Sequence, residues 1–371
     1  MKLVPLTKPQ VIAILINSII GAGILPMPLF PVRAAGHGAP LVTVLAFVFA
    51  YAALACMALL SSRFPRDNFV SLSEKVIGKW PARFFTFVFA CYLGLLTAFT
   101  AREFGEVVIT TVLKSTPLEV TVILMLVLGA VAARSDINTF AYMQMFYVPF
   151  VVIPAWLIVF LSMKNAEVLN LLPIWGNESG NWLAGILAVA SLTQASFIIT
   201  LVVPYMQNPE KALRTVTISI LVTGTLYVAI VAACVGVFGP EEIKVLLWPT
   251  LELAKITSLP ANVLERLDAA FLALWLTSVF TNILSTYFFT VNAFANVFKL
   301  KDYRFLTMFL LPFVFVLAMQ PRSIVQMYTK IYEFARIGYL YMVSYTVIVL
   351  LIAILRGIRG RKDGQLLPEN G

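Results

Sequence analysis

Charge is what this sequence has least of. Only 12% of its 371 residues are Asp, Glu, Lys or Arg, about half the share of a soluble domain. With 60% hydrophobic residues and a mean hydropathy of +0.92, the chain lacks the polar surface to stay in water. A soluble globular protein is therefore excluded. Histidine and cysteine are also scarce: His37 alone, and Cys56, Cys91 and Cys234 far apart in apolar runs. The cysteines read as small hydrophobes packed between helices. His37 reads as a solvated loop residue in Gly36-His37-Gly38, with a pH sensor as the alternative. Acids, histidine and cysteine are too few for a hydrolase or metal site, so no enzymatic activity, metal or cofactor is expected.

What is present is long charge-free sequence. Ten stretches emerge: Pro9–Val32, Ala34–Ser62, Phe84–Ala101, Val120–Ala133, Ile137–Met163, Ser179–Pro209, Thr215–Pro240, Ala269–Phe298, Phe305–Pro321 and Ile337–Leu355. A bilayer-crossing helix needs ~20 apolar residues, which nine of the stretches satisfy. Val120–Ala133 is shorter, but Pro117 can open a helix and Arg134 can snorkel to the interface. The first run continues past Gly21 without a small-residue cleavage site, so no cleavable signal peptide is expected.

The expectation is an all-α integral membrane protein of ten transmembrane helices, both termini on one side. Lys and Arg divide 17 to 10 in favour of the terminal side, and acids 7 to 11 against it. That asymmetry puts both termini in the cytoplasm. The basic balance then reads as an orientation signal and a contact with anionic lipid of the bilayer. Nucleic-acid binding is not expected, because the basic residues form no arm or patch.

Ten spans divide into a first half at about 9–163 and a second at about 179–356, with an outer interfacial segment at 240–264 and a cytoplasmic tail at 357–371. An odd number per half makes the halves inverted repeats, an arrangement in which the first helix of each is often broken around a ligand. Helix 1 carries Gly21-Ala22-Gly23-Ile24-Leu25-Pro26-Met27-Pro28, where continuous helical bonding should fail and free N–H groups could receive a carboxylate. Close helix packing is the competing reading. Helix 6 holds a polar island, Ser191 to Thr200, which could equally be glue between helices. Helix 8 carries Thr277, Ser278, Thr281, Asn282 and Ser285 at helical spacing. Helix 3 offers Tyr92, Gly94 and Thr97, and Tyr287 stands on helix 8; buried tyrosines need a hydroxyl partner. No charge is expected deep in a span, with Arg102, Glu103 and Glu106 assigned to the outer interface, so proton coupling is not expected.

The outer segment alternates apolar and charged positions at helical spacing and is expected to lie flat on the surface, Trp248 at the headgroup level. Its Trp248-Pro249-Thr250-Leu251-Glu252-Leu253 and the following Leu264-Glu265-Arg266-Leu267-Asp268 resemble the B subunit of bacterial spore nutrient-germinant receptors. So do Leu6-Thr7-Lys8-Pro9-Gln10 and Gly21-Ala22-Gly23-Ile24-Leu25. The resemblance implies the amino acid–polyamine–organocation transporter superfamily and a LeuT-like five-plus-five inverted-repeat fold. It also implies residence in the spore inner membrane, sensing of an amino acid or similar small nutrient, and assembly with an A subunit and a lipoprotein C subunit. By the same resemblance the ligand is bound by Gly21, Ala22, Gly23 and Ile24, by Tyr92 and Leu96, by Thr193, Gln194, Ser196 and Phe197, and by Ser278 and Asn282. Tyr92 and Tyr287 would gate a water path.

Two departures stand out. Many members of the superfamily have glycine at the helix 6 break, where this chain has Ala195 and Ser196, and proton-coupled members carry a lysine in helix 5 that Phe140–Leu161 lacks. A secondary amino-acid transporter, sodium-coupled through helix 8 hydroxyls, and a ligand-gated water or ion channel remain the alternatives.

Overall fold

The computed structural model describes residues 4–176, 180–257 and 267–360. Among them there is no β-strand; the chain is a bundle of helices, α1 (Lys8–Ile19), α2 (Leu29–Ala35), α3 (Ala39–Arg63), α4 (Phe69–Ile77), α5 (Lys79–Thr111), α6 (Leu118–Ala132) and α7 (Ile137–Ser162). There follow α8 (Trp182–Ser191), α9 (Ile199–Val202), α10 (Ala212–Val245), α11 (Pro249–Ile256), α12 (Leu267–Phe298), α13 (Arg304–Met319) and α14 (Ile324–Leu355).

Six helical segments among the described residues are long and apolar enough to cross a bilayer: Leu29–Arg63, Lys79–Thr111, Ile137–Asn165, Pro209–Val245, Ala270–Phe298 and Ile324–Leu355. A seventh arises if Trp182–Ser191 and Gln194–Tyr205, bent by 50° at their junction, count as one span. The remaining apolar helices, α1, α6 and α13, are shorter. The surface is as apolar as a lipid-facing surface must be: Phe84, Phe146, Ile153 and Phe160 point outward. Polar residues go inward, where Asn17, Thr97, Gln144 and Thr286 are fully buried. Polar groups kept from hydrocarbon and satisfied inside are the mark of a multi-pass membrane protein.

Local chemistry sets the helix starts. Pro117 stands before α6, while the Asp136 carboxylate accepts the N–H groups of Asn138 and Thr139, both at 2.9 Å, and so opens α7. Those same bonds, from Thr139 first, hold the Asp136 carboxyl below the usual carboxylate range. Ser323 caps α14 through the N–H of Gln326 at 3.2 Å.

Charge gaps misplace two helix ends. α14 begins at Ile324, a full thirteen residues before the expected Ile337, because Lys330, Glu333 and Arg336 sit within the helix. Arg336 is accommodated over the Tyr332 ring, 5.4 Å from its centroid. α5 likewise runs through Arg102, Glu103 and Glu106 to Thr111.

The expected outer segment also differs. Its first part, Pro240 to Val245, continues α10 beyond a kink at Gly239, whose φ of 71° only glycine adopts without strain. Trp248 is buried rather than at a headgroup surface, its indole N–H donating to the Tyr328 hydroxyl at 2.7 Å. Residues 258–264, the Leu264-Glu265-Arg266 part of the following block, the side chains of Leu267 and Asp268, and positions 361–371 of the tail lie outside the described residues. His37 is not on a solvated loop: it sits in a short 3-10 helix, Gly36–Gly38, with Nδ1 donating to the Asn170 carbonyl at 2.8 Å. Cys234 is buried, Cys56 and Cys91 partly so, and all three are free thiols.

Candidate functional site

α1 ends at Ile19, just before the glycine and proline cluster. The N–H of Ile20 still bonds to the Ile16 carbonyl at 2.8 Å, and the next bond, Ile24 N–H to Gly21 carbonyl at 3.4 Å, belongs to a 3-10 turn over Ala22–Ile24. The N–H groups of Gly21, Ala22 and Gly23 fall between the two ladders. A terminating helix also leaves carbonyls without intrahelical donors, which in a membrane must be met by protein.

They are met by side chains of α12 and α10. Asn282 Nδ2 donates to the Ser18 carbonyl at 2.7 Å, the Tyr227 hydroxyl to that of Ile19 at 3.1 Å, and the Ser278 hydroxyl to that of Ile20 at 3.2 Å. Further on, Thr250 donates its hydroxyl to the Ile24 carbonyl at 2.8 Å and its N–H to that of Leu25 at 3.3 Å. The polar stripe of α12 and the Trp248-Pro249-Thr250 turn thus share one job: they hold the broken segment. Below it, Asn17 Nδ2 donates to Gln144 Oε1 and to the Gln144 carbonyl, both at 2.8 Å. Gln144 Nε2 in turn donates to the Ser285 hydroxyl at 2.8 Å and the Thr281 carbonyl at 3.0 Å, locking α1, α7 and α12 together.

The second break lies within the polar island Ser191 to Thr200. α8 stops at Ser191, and Gln194–Ile198 form a 3-10 helix before α9. Ser191, Thr193, Ser196 and Thr200 spend their hydroxyls on local carbonyls of Ala188, Ala190, Thr193 and Phe197. Gln194 is the exception, its Oε1 accepting from the Tyr92 hydroxyl of α5.

Between the two breaks lies a cavity of about 80 Å³, room for several waters or a small polar molecule. It is walled by Gly21, Ala22 and Gly23 from the first break and by Leu192, Gln194 and Ala195 from the second; α5 adds Leu96, Phe99, Thr100 and Glu103. Ile19, Tyr227, Asn282, Ile331 and Phe334 complete it. Of the residues expected at a ligand, Gly21, Ala22, Gly23, Leu96, Gln194 and Asn282 meet here. Tyr92 lies just behind, its ring tilted against that of Phe334 with centroids 4.8 Å apart. Ile24 and Ser278 line a separate crevice against α7 with Ile20, Phe150 and Trp275. Thr193 and Ser196 are buried in their own turn, and Phe197 packs on Tyr339, 5.6 Å between centroids. Tyr287 is elsewhere, its hydroxyl donating to the Thr307 carbonyl at 2.5 Å and tying α12 to α13.

Glu103 departs most from expectation. Only 5% exposed, it faces the cavity and accepts a hydrogen bond from the Tyr328 hydroxyl at 3.1 Å, so it is not interfacial. Glu106 and Arg102 are buried too, paired with each other at 2.7 Å. In sequence the signal was spacing: Phe99 and Glu103 are four apart, as are Leu96 and Thr100, so all share the inward face of α5.

A family described as "Spore germination protein" matches residues 5–327. The chain belongs to the spore germination protein family. Among curated members, it is 26% identical over 320 residues to spore germination protein YndE of Bacillus subtilis (strain 168), covering 86% of this chain and 88% of that protein. Spore germination protein B2 of the same organism is 22% identical over 348 residues, 92% of this chain and 93% of its own. Spore germination protein GerLB of Bacillus cereus is 22% identical over 267 residues, 70% of each. For this family member, both the broken segment Gly21–Leu25 and the Trp248-Pro249-Thr250 turn, two blocks that carried the resemblance to germinant-receptor B subunits, meet at the same place through Thr250.

Proposed function

We propose that this protein is the amino-acid-sensing membrane subunit of a spore germinant receptor, the ligand binding in the cavity between the two helix breaks. The observation that carries the reading is that cavity: a small space whose walls come from both breaks, α5 and α12, with Thr100, Glu103, Gln194 and Asn282 as polar groups among mainly apolar neighbours. An amino acid there would lay its carboxylate on the N–H groups of Gly21, Ala22 and Gly23 and its side chain toward Leu96, Leu192 and Ala195. Tyr92 with Gln194 would close the cavity from behind. The ten helical stretches would form five-plus-five inverted repeats with both termini cytoplasmic, and ligand binding would shift an equilibrium that A and C subunits in the spore inner membrane read. A ligand shifts such an equilibrium only by its differential affinity for the two states. Thermal-shift measurements on the purified full chain across the common amino acids test this. A stabilising response lost in Gly23→Trp supports the site, and no response to any of them, or a full response in Gly23→Trp, refutes it.

One observation favours a second reading. A carboxylate buried in the cavity is what ion- and proton-driven transporters keep at some cost, and Glu103 is one. Uptake of radiolabelled amino acid into proteoliposomes under an imposed proton or sodium gradient decides between the two: gradient-driven accumulation makes the protein a transporter.

A further inference from the structure

A buried carboxylate is costly unless a cation or several donors compensate it, and Glu103 has little compensation within the fold. The cation next to it in sequence, Arg102, is turned to Glu106 at 2.7 Å and to the sulfur of Met319 at 3.7 Å. The hydrogen bond that Glu103 accepts comes from a neutral phenol, Tyr328. An ionised carboxylate offers about four lone-pair positions, and Tyr328 takes one.

Tyr328 itself is held in place. Its oxygen accepts the indole N–H of Trp248 at 2.7 Å, so its own hydrogen is free to point at Glu103. The result is a chain of fixed polarity, Trp248 to Tyr328 to Glu103, that ends on the cavity wall. The other walls near Glu103 suit a positive guest. Phe99, Phe334 and Tyr227 present aromatic rings, whose faces attract an ammonium group. Tyr328 also lines a second, larger cavity of about 430 Å³ between α2, α8 and α14, so a guest could approach Glu103 past the Tyr328 ring.

We propose that Glu103 is the acceptor for a protonated primary amine in this cavity, with Tyr328 and Trp248 as positioning residues that hold its carboxylate in register. This rests on reading the same cavity as the ligand site, and it makes the amine the recognised end of the ligand, opposite the helix 1 amides. Small side chains follow from the volume; a quaternary nitrogen is excluded because it has no N–H for Glu103 to accept, and an acylated nitrogen because it is neutral and cannot compensate the carboxylate charge.

The test uses the full chain in nanodiscs, with melting temperature read against alanine, ethylammonium and propionate, which separate the amine from the carboxylate. For the wild type, alanine and ethylammonium should raise the melting temperature. Glu103→Gln should weaken the alanine and ethylammonium responses at least tenfold, Glu103→Asp should restore part of them, and Tyr328→Phe should weaken them by a smaller factor. Propionate should be indifferent to all three substitutions. Ethylammonium that does not bind the wild type, or binds Glu103→Gln as well, overturns the amine assignment while leaving the cavity reading intact. Loss of every response in Gly23→Trp with an unchanged melting temperature supports the cavity reading on its own. A melting temperature of unliganded Glu103→Gln within a few degrees of wild type shows that a lost response is not misfolding, and Glu103→Asp provides the same control by rescue.

Discussion

Asn282 on α12 donates its side-chain amide to the Ser18 carbonyl, 2.7 Å away, where α1 ends. The same carboxamide packs so tightly on Gly21 that a Cβ there would lie 2.7 Å from Asn282 Cγ. Gly21 therefore exists for close approach: the break needs a donor at the Ser18 carbonyl, and only a residue without a side chain lets that donor in. Asn282→Ala should cost about 1 kcal/mol, the scale of one hydrogen bond between membrane helices. Gly21→Ala should cost more, because the neighbour at risk is the amide that caps the helix. In the double variant the new methyl meets no carboxamide, so the combined loss should fall below the sum. Melting curves of the four proteins check it, and strict additivity would sink the idea that the two residues act through one contact.

Gln144 is the hub of a second polar junction, bonded to Asn17, Ser285 and the Thr281 carbonyl. All of it is buried. Gln144→Leu keeps the volume but leaves the Asn17 amide and the Thr281 carbonyl short of partners, a loss of about 1–3 kcal/mol. Gln144→Glu is the sharper probe, since a carboxylate can still accept from Asn17 but cannot donate to Thr281. Thermal denaturation in detergent should rank wild type above both variants.

How much of this was legible beforehand follows from which signals are local. The glycines and prolines of Gly21 to Pro28 act on their own backbone, so the first break could be read directly. So could the α12 stripe, because hydroxyls and amides at three-and-four spacing define a face. Glu103 was misassigned because a charge gap treats every charged residue as the end of a span, whereas a helix turned inward can carry one on its protein-facing side. Gln144 stands alone among apolar neighbours of α7, and nothing local shows that Asn17 waits opposite it. The buried role of Trp248 was equally invisible: its partner Tyr328 lies 80 positions away.

Asp136 gives a pH dependence outside the spans. Its carboxylate accepts two backbone N–H bonds at the start of α7, which lower its pKa below the unfolded value. A lowered folded pKa means that the ionised group stabilises the native state above the unfolded value, about 3.9. That contribution is lost as pH falls through the depressed value. Asp136→Asn keeps a capping oxygen but removes the titration. Near neutral pH it should therefore cost at most about 1 kcal/mol, and its melting temperature should decline less than that of the wild type between pH 5 and pH 3 in ~0.1 M salt. Parallel slopes for the two proteins would remove Asp136 from the acid response.

Thr250, at the end of the Trp248-Pro249-Thr250 block, bonds the broken segment directly, donating to the Ile24 carbonyl at 2.8 Å. Thr250→Val keeps shape and branching but deletes the hydroxyl, leaving that carbonyl buried without this donor at a cost of about 1–3 kcal/mol. If the turn merely connects α10 to α11, the substitution should lower the melting temperature and leave the ligand response of the remaining folded protein unchanged. If it clamps Gly21 to Leu25 into the shape that walls the cavity, the response to alanine should weaken as well. Thr250→Ser, which keeps the donor and drops a methyl, should recover the response. Titration of alanine against wild type, Thr250→Val and Thr250→Ser, read as the concentration giving half the maximal thermal shift, separates the two. A clamp requires the valine variant to shift that midpoint several-fold and the serine variant to return it, since only the hydroxyl distinguishes them at the Ile24 carbonyl.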